Sequence, residues 1–524
     1  MALKAFIADI IDAAAIKKLR KSGAPAVVCN QLRVSLPEQL QLLDANSART
    51  EGTWTAWRSN AAVLEGLFDK VPGLRRYDGL DLSPAFRKTV LWANRKFGYL
   101  QAYLDEHPEI APINPPDLYP CRRLRVLLKY LKLLRKSTRR VSGENACPPV
   151  KTRVAFMVED LFELRVLQPV AERIKVEEVC WVIPPHHRFS EDELQEIRKG
   201  WNLWLAPGAD RLLLPVFPVF MLNKKELFCL NAWMSDLKII SDALHWGNLL
   251  FGSQIRVLVT LAQENTHIGH ILCGQAKKCG KHTVNTMNGI KTAEAISAEA
   301  DFSTWIIWDE AMKDILEHGV SIPGKQLHVA GALQQDLLRA HRYMGTIPVS
   351  DEDLKSHRII SVVSAKDLRS DKVEALQALY QWAAAQKDVI VLYRPHPMEP
   401  EENYLLPPAG SCRYELIKPS TAESKISLMD QLMVSDLVIN FGSTVSIEAK
   451  WMGIPCVTFE KKALSDLHCV DGLMLRHARS AQELTEILYS INKTVSRKQN
   501  EAVTAKEHDI ASTYAEIINS YATM

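Results

Sequence analysis

The apolar positions of this chain change rhythm twice. After one strand-like run, AVVC (26–29), residues 30–140 place apolar side chains three and four apart. WRSNAAVLEGLFDKV and AFRKTVLWANRKFGYLQAYLDEH show the spacing best, and it predicts helix. The opening residues, MALKAFIADIIDAAAIKKLRKSG, carry Asp9 and Asp12 inside their apolar part. That makes a poor signal peptide and predicts an amphipathic helix. A polar break, VSGENACPP (141–149), ends the region.

From 151 the pattern becomes short β-branched or apolar runs separated by helix-length segments. RVAFMV (153–158), EEVCWVI (177–183), IRVLVTLA (255–262), HTVNTM (282–287) and STWIIW (303–308) form one series. RIISVVS (358–364), DVIVLYR (388–394), DLVINF (436–441) and PCVTFE (455–460) form a second, after a polar stretch near 341–357. Buried parallel strands read this way, and the alternation predicts an α/β protein with two doubly wound, Rossmann-like domains. The expected division is a mostly helical region at 1–150, a domain at 151–345, a second domain at 357–500 and a C-terminal helix at 501–524. The first region is either a separate module or the opening strand of the first domain plus an insertion.

Bulk numbers narrow the class. The 524 residues are too many for one ordinary core, and 24% charged with 47% hydrophobic residues is a folded, water-exposed balance. The net charge of +3 gives no general argument for nucleic acid. No stretch approaches the roughly 20 apolar residues of a membrane span. LLLPVFPVFML (212–222) is the best candidate and contains two prolines. Ten cysteines without a CxxC pair fit reduced thiols and a cytoplasmic setting.

Ligands of doubly wound sheets sit at the carboxyl ends of the strands. Four stretches place polar chemistry there. In FGSTVSIEAKWMG (441–453) a strand ends, Gly442 permits a turn, and Ser443 and Thr444 open a helix. Such a helix start binds phosphate, or else Ser443 is simply its cap. Glu448 lies one turn further, placed to accept from a ribose. In LYRPHP (392–397), Pro395 and Pro397 stiffen the backbone around Arg394 and His396. Arg394 suits a bidentate clamp on phosphate and His396 a single donor, unless the loop is merely rigid and exposed. After the first domain's opening strand, Glu159 and Asp160 face the expected cleft, and Glu264 follows a later strand in TLAQENTH (260–267). Any of these carboxylates can take a proton from a hydroxyl, or act as a nucleophile.

A His-Pro pair after one strand of the second domain, followed by a Gly-Ser/Thr turn before a Glu-bearing helix, resembles the GT-B glycosyltransferases of bacterial capsule and lipopolysaccharide synthesis. The pattern is nearest to bacterial sialyltransferases and capsule Kdo transferases, which use CMP-activated sugars. FSTWIIWDEAMKDILEHGVSIPGKQLHVAGALQQD (302–336) is similar to the way those enzymes leave their first domain. The resemblance covers about 151–500 and implies a GT-B-like fold. It also implies that His396 touches the donor phosphate, that Ser443 and Thr444 bind it, and that Glu448 sits near the ribose. In such enzymes an acid-acid-Gly motif supplies the base. VEDL (158–161) is the nearest match, with Leu161 in place of Gly, so Asp160 is implied first, with Glu159 beside it and Glu264 as rival. In NTMNGIKT (285–292), Asn288 stands where relatives carry His, on the acceptor side, or else Asn-Gly is an ordinary turn.

The activity implied is transfer of a sugar from a nucleotide donor to a polysaccharide or glycolipid acceptor. The donor would be a CMP-ulosonate such as sialic acid or Kdo, with a UDP-sugar as the other choice. No cofactor and no metal are expected, because no DxD-like pair ends a predicted strand. The alternatives are a nucleotide-sugar epimerase, a polyol-phosphate transferase, or a non-catalytic subunit of a polysaccharide assembly complex.

CRRLRVLLKYLKLLRKSTRR (121–140) puts Leu124, Leu127, Leu128, Leu131 and Leu134 on one helical stripe among many basic residues. Such a helix lies on an anionic membrane surface or packs on the domain with a solvated basic face. The first choice makes 122–140 a peripheral contact with the inner face of the cytoplasmic membrane. Nucleic acid is disfavoured, since only Tyr130 is an interleaved aromatic. HILCGQAKKCGKH (270–282) has zinc-ligand residue types, but its cysteines fall on different parts of a helix, which favours packing.

Overall fold

In the computed structural model Leu3–Ile11 is a strand, β1, and not the start of a helix. Ala5, Ile7 and Ile11 are buried, and the β-branched isoleucines suit a pleated surface. The helix begins only at Asp12, whose Oδ1 accepts from the N–H of Ala15 at 2.7 Å and caps Ala13–Ser22. One apparent amphipathic stretch is therefore a strand followed by a capped helix.

The structure describes the chain apart from residues 1, 33–38, 138–147, 150, 217–218, 288–300, 320–321, 341–346, 365–369, 398, 400, 402–403, 419–427, 444, 460–474, 491–508 and 524. Its contacts separate two units. Unit 1 comprises Met1–Gly52, Tyr99–Pro116 and Leu337–His508; unit 2 comprises Thr53–Gly98, Asp117–Asp336 and Asp509–Met524. Residues of the N-terminal region 1–150 occur in both units.

Unit 1 carries two sheets. β1, β2 (Ala26–Leu32) and β3 (Gln41–Asp44) join a later strand, β6 (Ile110–Pro112), in the order β3-β2-β1-β6, all parallel. Between them in sequence, β4 (Arg76–Tyr77) and β5 (Leu80–Asp81) make a small antiparallel hairpin in unit 2. The mostly helical expectation for 30–140 overlooked β3 and β6 because four and three residues are too few to set a period.

Unit 2 has a seven-stranded parallel sheet. Its strands are β7 (Val154–Met157), β8 (Val179–Ile183), β9 (Leu203–Leu205), β10 (Val257–Leu261), β11 (His282–Thr286), β12 (Thr304–Ile307) and β13 (Leu327–Val329), ordered β13-β12-β11-β10-β7-β8-β9. β7, β8 and β10 are buried at every residue, as continuous apolar runs covered on both faces should be. The main core gathers Phe86, Trp233, Trp246 and Leu258, with the rings of Phe86 and Trp233 stacked at 4.6 Å. Burying a side chain such as Phe86 contributes roughly 2–3 kcal/mol. The long helices Arg49–Lys70 and Ser83–Glu106 are joined by a buried amide pair, Asn60 with Asn94, at 3.1 and 2.9 Å. The C-terminal helix, Ile510–Thr523, belongs to this unit, and its buried Tyr514 donates to the carbonyl of Gly331 at 2.9 Å.

The second sheet of unit 1 contains β14 (Arg358–Val363), β15 (Val389–Arg394), β16 (Tyr414–Leu416), β17 (Leu437–Asn440), β18 (Cys456–Phe459) and β19 (Leu475–Ala478), ordered β16-β15-β14-β17-β18-β19. In each of the three parallel sheets, successive strands first step one way and then cross to the other side of the first strand. The crossing creates a switch point between β7 and β10 in unit 2, and between β14 and β17 in unit 1. Doubly wound sheets bind ligands at that place.

The basic helix Arg123–Ser137 packs on unit 2, but not through the expected leucine stripe. Val126 and Tyr130 are buried, with Leu127, Leu133 and Leu134 partly so, while Leu124, Leu128 and Leu131 are exposed.

Candidate functional site

In unit 1 the row of paired residues that ends the sheet reads Arg394, Val363, Asn440 and Thr458. Arg394 and Asn440 flank the same residue of β14, so LYRPHP and the FGS turn lie two strands apart rather than on adjacent strands. Arg394 closes β15 and is 8% exposed, and burial lowers its guanidinium pKa. His396 follows, half-buried, on a backbone fixed by Glu399. One carboxylate oxygen of Glu399 accepts from the His396 N–H at 3.1 Å. The other is shared by Lys372 Nζ, in a fully buried ion pair, and by the Tyr393 hydroxyl at 3.2 Å. Two prolines and this buried anchor set the direction of the loop.

Across the switch point, Gly442 adopts φ +77°, a conformation that glycine tolerates without strain. Asn440 Oδ1 accepts from the N–H groups of Gly442 at 3.1 Å and Ser443 at 3.0 Å. Its Nδ2 donates to Thr458 Oγ1 at 3.2 Å. These two amides are therefore engaged within the chain and are not open phosphate donors. Ser443 Oγ accepts from Val445 N at 3.4 Å, a local capping role, and its hydroxyl proton remains available for donation. The helix that follows, Val445–Trp451, is only seven residues long. Glu448 sits on it, and burial pushes its carboxyl up to about 7, so near neutrality it can donate as well as accept. Thr444 lies outside the described residues, as does Asn288.

The carboxyl edge of the unit 2 sheet collects more chemistry than the sequence suggested. Glu159 leaves β7 with its side chain 15% exposed, and its Oε1 lies 3.1 Å from His186 Nε2, after β8. Gln263, after β10, donates its Nε2 to the same oxygen at 3.4 Å, which spans the switch point. Burial raises the Glu159 carboxyl, but the hydrogen bond and charge of His186, with Arg188 and Gln263, outweigh it and leave the pKa lowered. Glu163, one turn into the helix Leu161–Ala171, moves the other way. Burial, with the charges of Glu159 and Asp160, pushes it up to about 8 although it accepts from the Glu159 N–H at 2.6 Å.

Asp160, the carboxylate implied first by the resemblance, caps that helix. Its Oδ1 accepts from Glu163 N at 3.0 Å and its Oδ2 meets Arg188 at 3.3 Å. A carboxylate held as a cap is a poor base, so Glu159 is the better candidate. Glu264 is fully buried and accepts from Asn285 Nδ2 at 2.9 Å. Asn285 in turn accepts from Gln263 N at 3.1 Å and Thr260 Oγ1 at 3.0 Å, so Glu264 anchors the loop that presents Gln263.

That loop bears two marks of close construction. Ala262 has φ +55°, a strained left-handed geometry for a residue with a Cβ. A Cβ on Gly269 would sit 2.1 Å from the Gln263 carbonyl oxygen. His267 opens the helix His267–Lys278, and its pKa is lowered by burial and by His186, against the pull of Asp236 and Glu159. His267 Nε2 and His186 Nδ1 are buried with no hydrogen-bond partner among the described residues. The sequence reading missed His186, His267, Gln263 and Glu163. Each is ordinary in isolation, and only the strand order brings them together.

Among the described residues no group of three or more His, Cys, Asp or Glu is placed to hold a metal. Cys273 is buried and Cys279 is exposed, and His282 stacks on Tyr521 at 4.1 Å.

No family model matches the sequence, and no curated protein matches it. Solved structures do. A Listeria monocytogenes protein assigned as a UDP-N-acetylglucosamine 2-epimerase superposes with a TM-score of 0.51 at 16% identity, covering 72% of this chain and 98% of that one. A UDP-GlcNAc 2-epimerase from Neisseria meningitidis bound to UDP-GlcNAc gives 0.46 at 13% identity, over 71% and 99%. The wall teichoic acid polymerase TagF gives 0.40 at 12%, over 76% and 98%. At these identities the likeness concerns fold alone, and of these the Listeria structure is the match with a TM-score above 0.5. The parallel sheets and that match make this an α/β chain of GT-B-like fold with two Rossmann-like domains.

Proposed function

We propose that this chain is a nucleotide-sugar enzyme in which Glu159, oriented by His186, is the general base. The observation that carries the reading is the pair itself, a carboxylate held ionised at a switch point beside a second carboxyl, Glu163, held protonated. Environments that push two carboxyls apart mark acid and base roles. Unit 1 is assigned the nucleotide and its phosphate, through Arg394, His396, Ser443 and Glu448. An arginine and a histidine on a stiff loop offset the charge that grows on a leaving phosphate.

The first reading is glycosyl transfer. Glu159 accepts the proton of an acceptor hydroxyl as the bond between sugar and donor phosphate breaks. A CMP-activated ulosonate is the donor favoured by the motif resemblance, and a UDP-sugar is the second choice. The acceptor would be a surface polysaccharide or glycolipid. The other reading is epimerisation, favoured by the opposite poise of Glu159 and Glu163. Removing a carbon-bound proton and returning one needs a base and an acid at the same edge.

Incubation with CMP-, UDP- and CDP-activated donors in heavy water separates these. Nucleotide release that depends on an added glycan acceptor supports transfer. An acceptor-free isomer carrying solvent deuterium supports epimerisation. Failure to bind any of the nucleotides overturns both, and binding without turnover of any donor leaves the non-catalytic subunit as the better account.

A further inference from the structure

The helix Arg123–Ser137 has two faces with different fates. Toward unit 2 it buries Val126 and Tyr130, Lys129 Nζ donates to Ser235 Oγ at 2.8 Å, and Tyr130 donates to the Pro215 carbonyl at 3.0 Å. On the opposite face Leu124, Leu128 and Leu131 are 70%, 59% and 59% exposed. Spacings of four and three align them in one stripe. Arg125, Lys132 and Arg135 are exposed along it, and the helix contains no acidic residue. The segment bonded to the helix start, where Arg123 Nη2 donates to the Phe220 carbonyl at 2.5 Å, leaves Val216, Phe220 and Met221 exposed as well.

We propose that this face docks on an anionic lipid surface, with the leucines entering the headgroup boundary and Arg125, Lys132 and Arg135 pairing with lipid phosphates. An uncovered apolar stripe marks an interaction site, and a basic border selects a negative partner. Self-association through the same stripe would bring like charges together, so a second copy is the poorer occupant. The surface binds lipid whichever reaction the chain catalyses.

The test is cosedimentation of the full chain with vesicles of phosphatidylcholine alone and of equimolar phosphatidylcholine and phosphatidylglycerol. Binding to the anionic vesicles should exceed binding to neutral ones by about tenfold or more and fall as salt is added. The variant Arg125→Glu/Lys132→Glu/Arg135→Glu should abolish the difference. Leu124→Ser/Leu128→Ser/Leu131→Ser should weaken binding with an unchanged circular dichroism spectrum and melting temperature, since these side chains are exposed. Equal binding to both vesicle types, or a charge-reversed variant that binds like wild type, overturns the proposal. So does a lipid-free dimer by light scattering that the leucine variant dissociates.

Discussion

Glu159 and His186 meet at 3.1 Å across the ends of adjacent strands β7 and β8. The contact matters because it reverses what burial does to the carboxyl. His186→Ala should let the Glu159 pKa rise. A base works only when unprotonated, so the acid limb of the kcat/KM profile should move to higher pH. An unmoved limb would show that the two groups are not coupled in catalysis.

Glu163 gives a stability prediction with a definite sign. Its folded pKa of about 8 lies above the ordinary carboxyl value, so the folded state holds a proton that the unfolded chain has lost. That contribution is complete below the unfolded pKa and disappears as pH rises through about 8. The melting temperature should therefore decline across this window. Glu163→Gln, which mimics the protonated form and can still accept from the Glu159 N–H, should flatten the decline. Parallel curves for the two proteins would contradict the assignment.

How much of this was legible in advance differs between the units. Arg394 and His396 could be found because prolines flag the loop. The strands that carry catalytic candidates could be found because buried parallel strands are unbroken apolar runs. β1 was hidden by an apolar stretch that serves a strand and a helix in succession. The Glu159 cluster was hidden because its members are 27 and 104 residues apart, His186 and Gln263 from Glu159, and their meeting depends on strand order alone. Asp160 was ambiguous for a local reason: an acid just before a helix is equally what a cap requires.

The Lys372–Glu399 pair is fully buried and holds the His396 backbone. Glu399→Leu alone should destabilise unit 1 by about 3–5 kcal/mol, because it strands the Lys372 charge. Adding Lys372→Met should recover much of that loss in a denaturant titration. Nucleotide affinity should stay impaired in the double variant, since the His396 N–H still lacks its acceptor. Affinity that returned together with stability would remove the positioning role.

Asn440 joins β17 to the turn after it by accepting from the Gly442 and Ser443 N–H groups, and to β18 through Thr458. Asn440→Ala should cost about 1–3 kcal/mol of stability, since it removes the bonds to the Gly442 and Ser443 N–H groups and to the buried Thr458 hydroxyl. It should weaken nucleotide binding more than it lowers turnover at saturation. A variant with full affinity would place the donor away from this switch point.

Glu159→Gln separates a general base from a carboxylate that only holds the loop in place. The amide keeps the shape of the side chain but cannot take a proton. Wild type and variant are compared with the donor that wild type turns over, by calorimetric titration for binding and by phosphorus NMR for conversion. Binding should stay within about twofold of wild type while turnover falls by at least about a hundredfold. Turnover by Glu159→Gln at the wild-type rate would rule out Glu159 as the base.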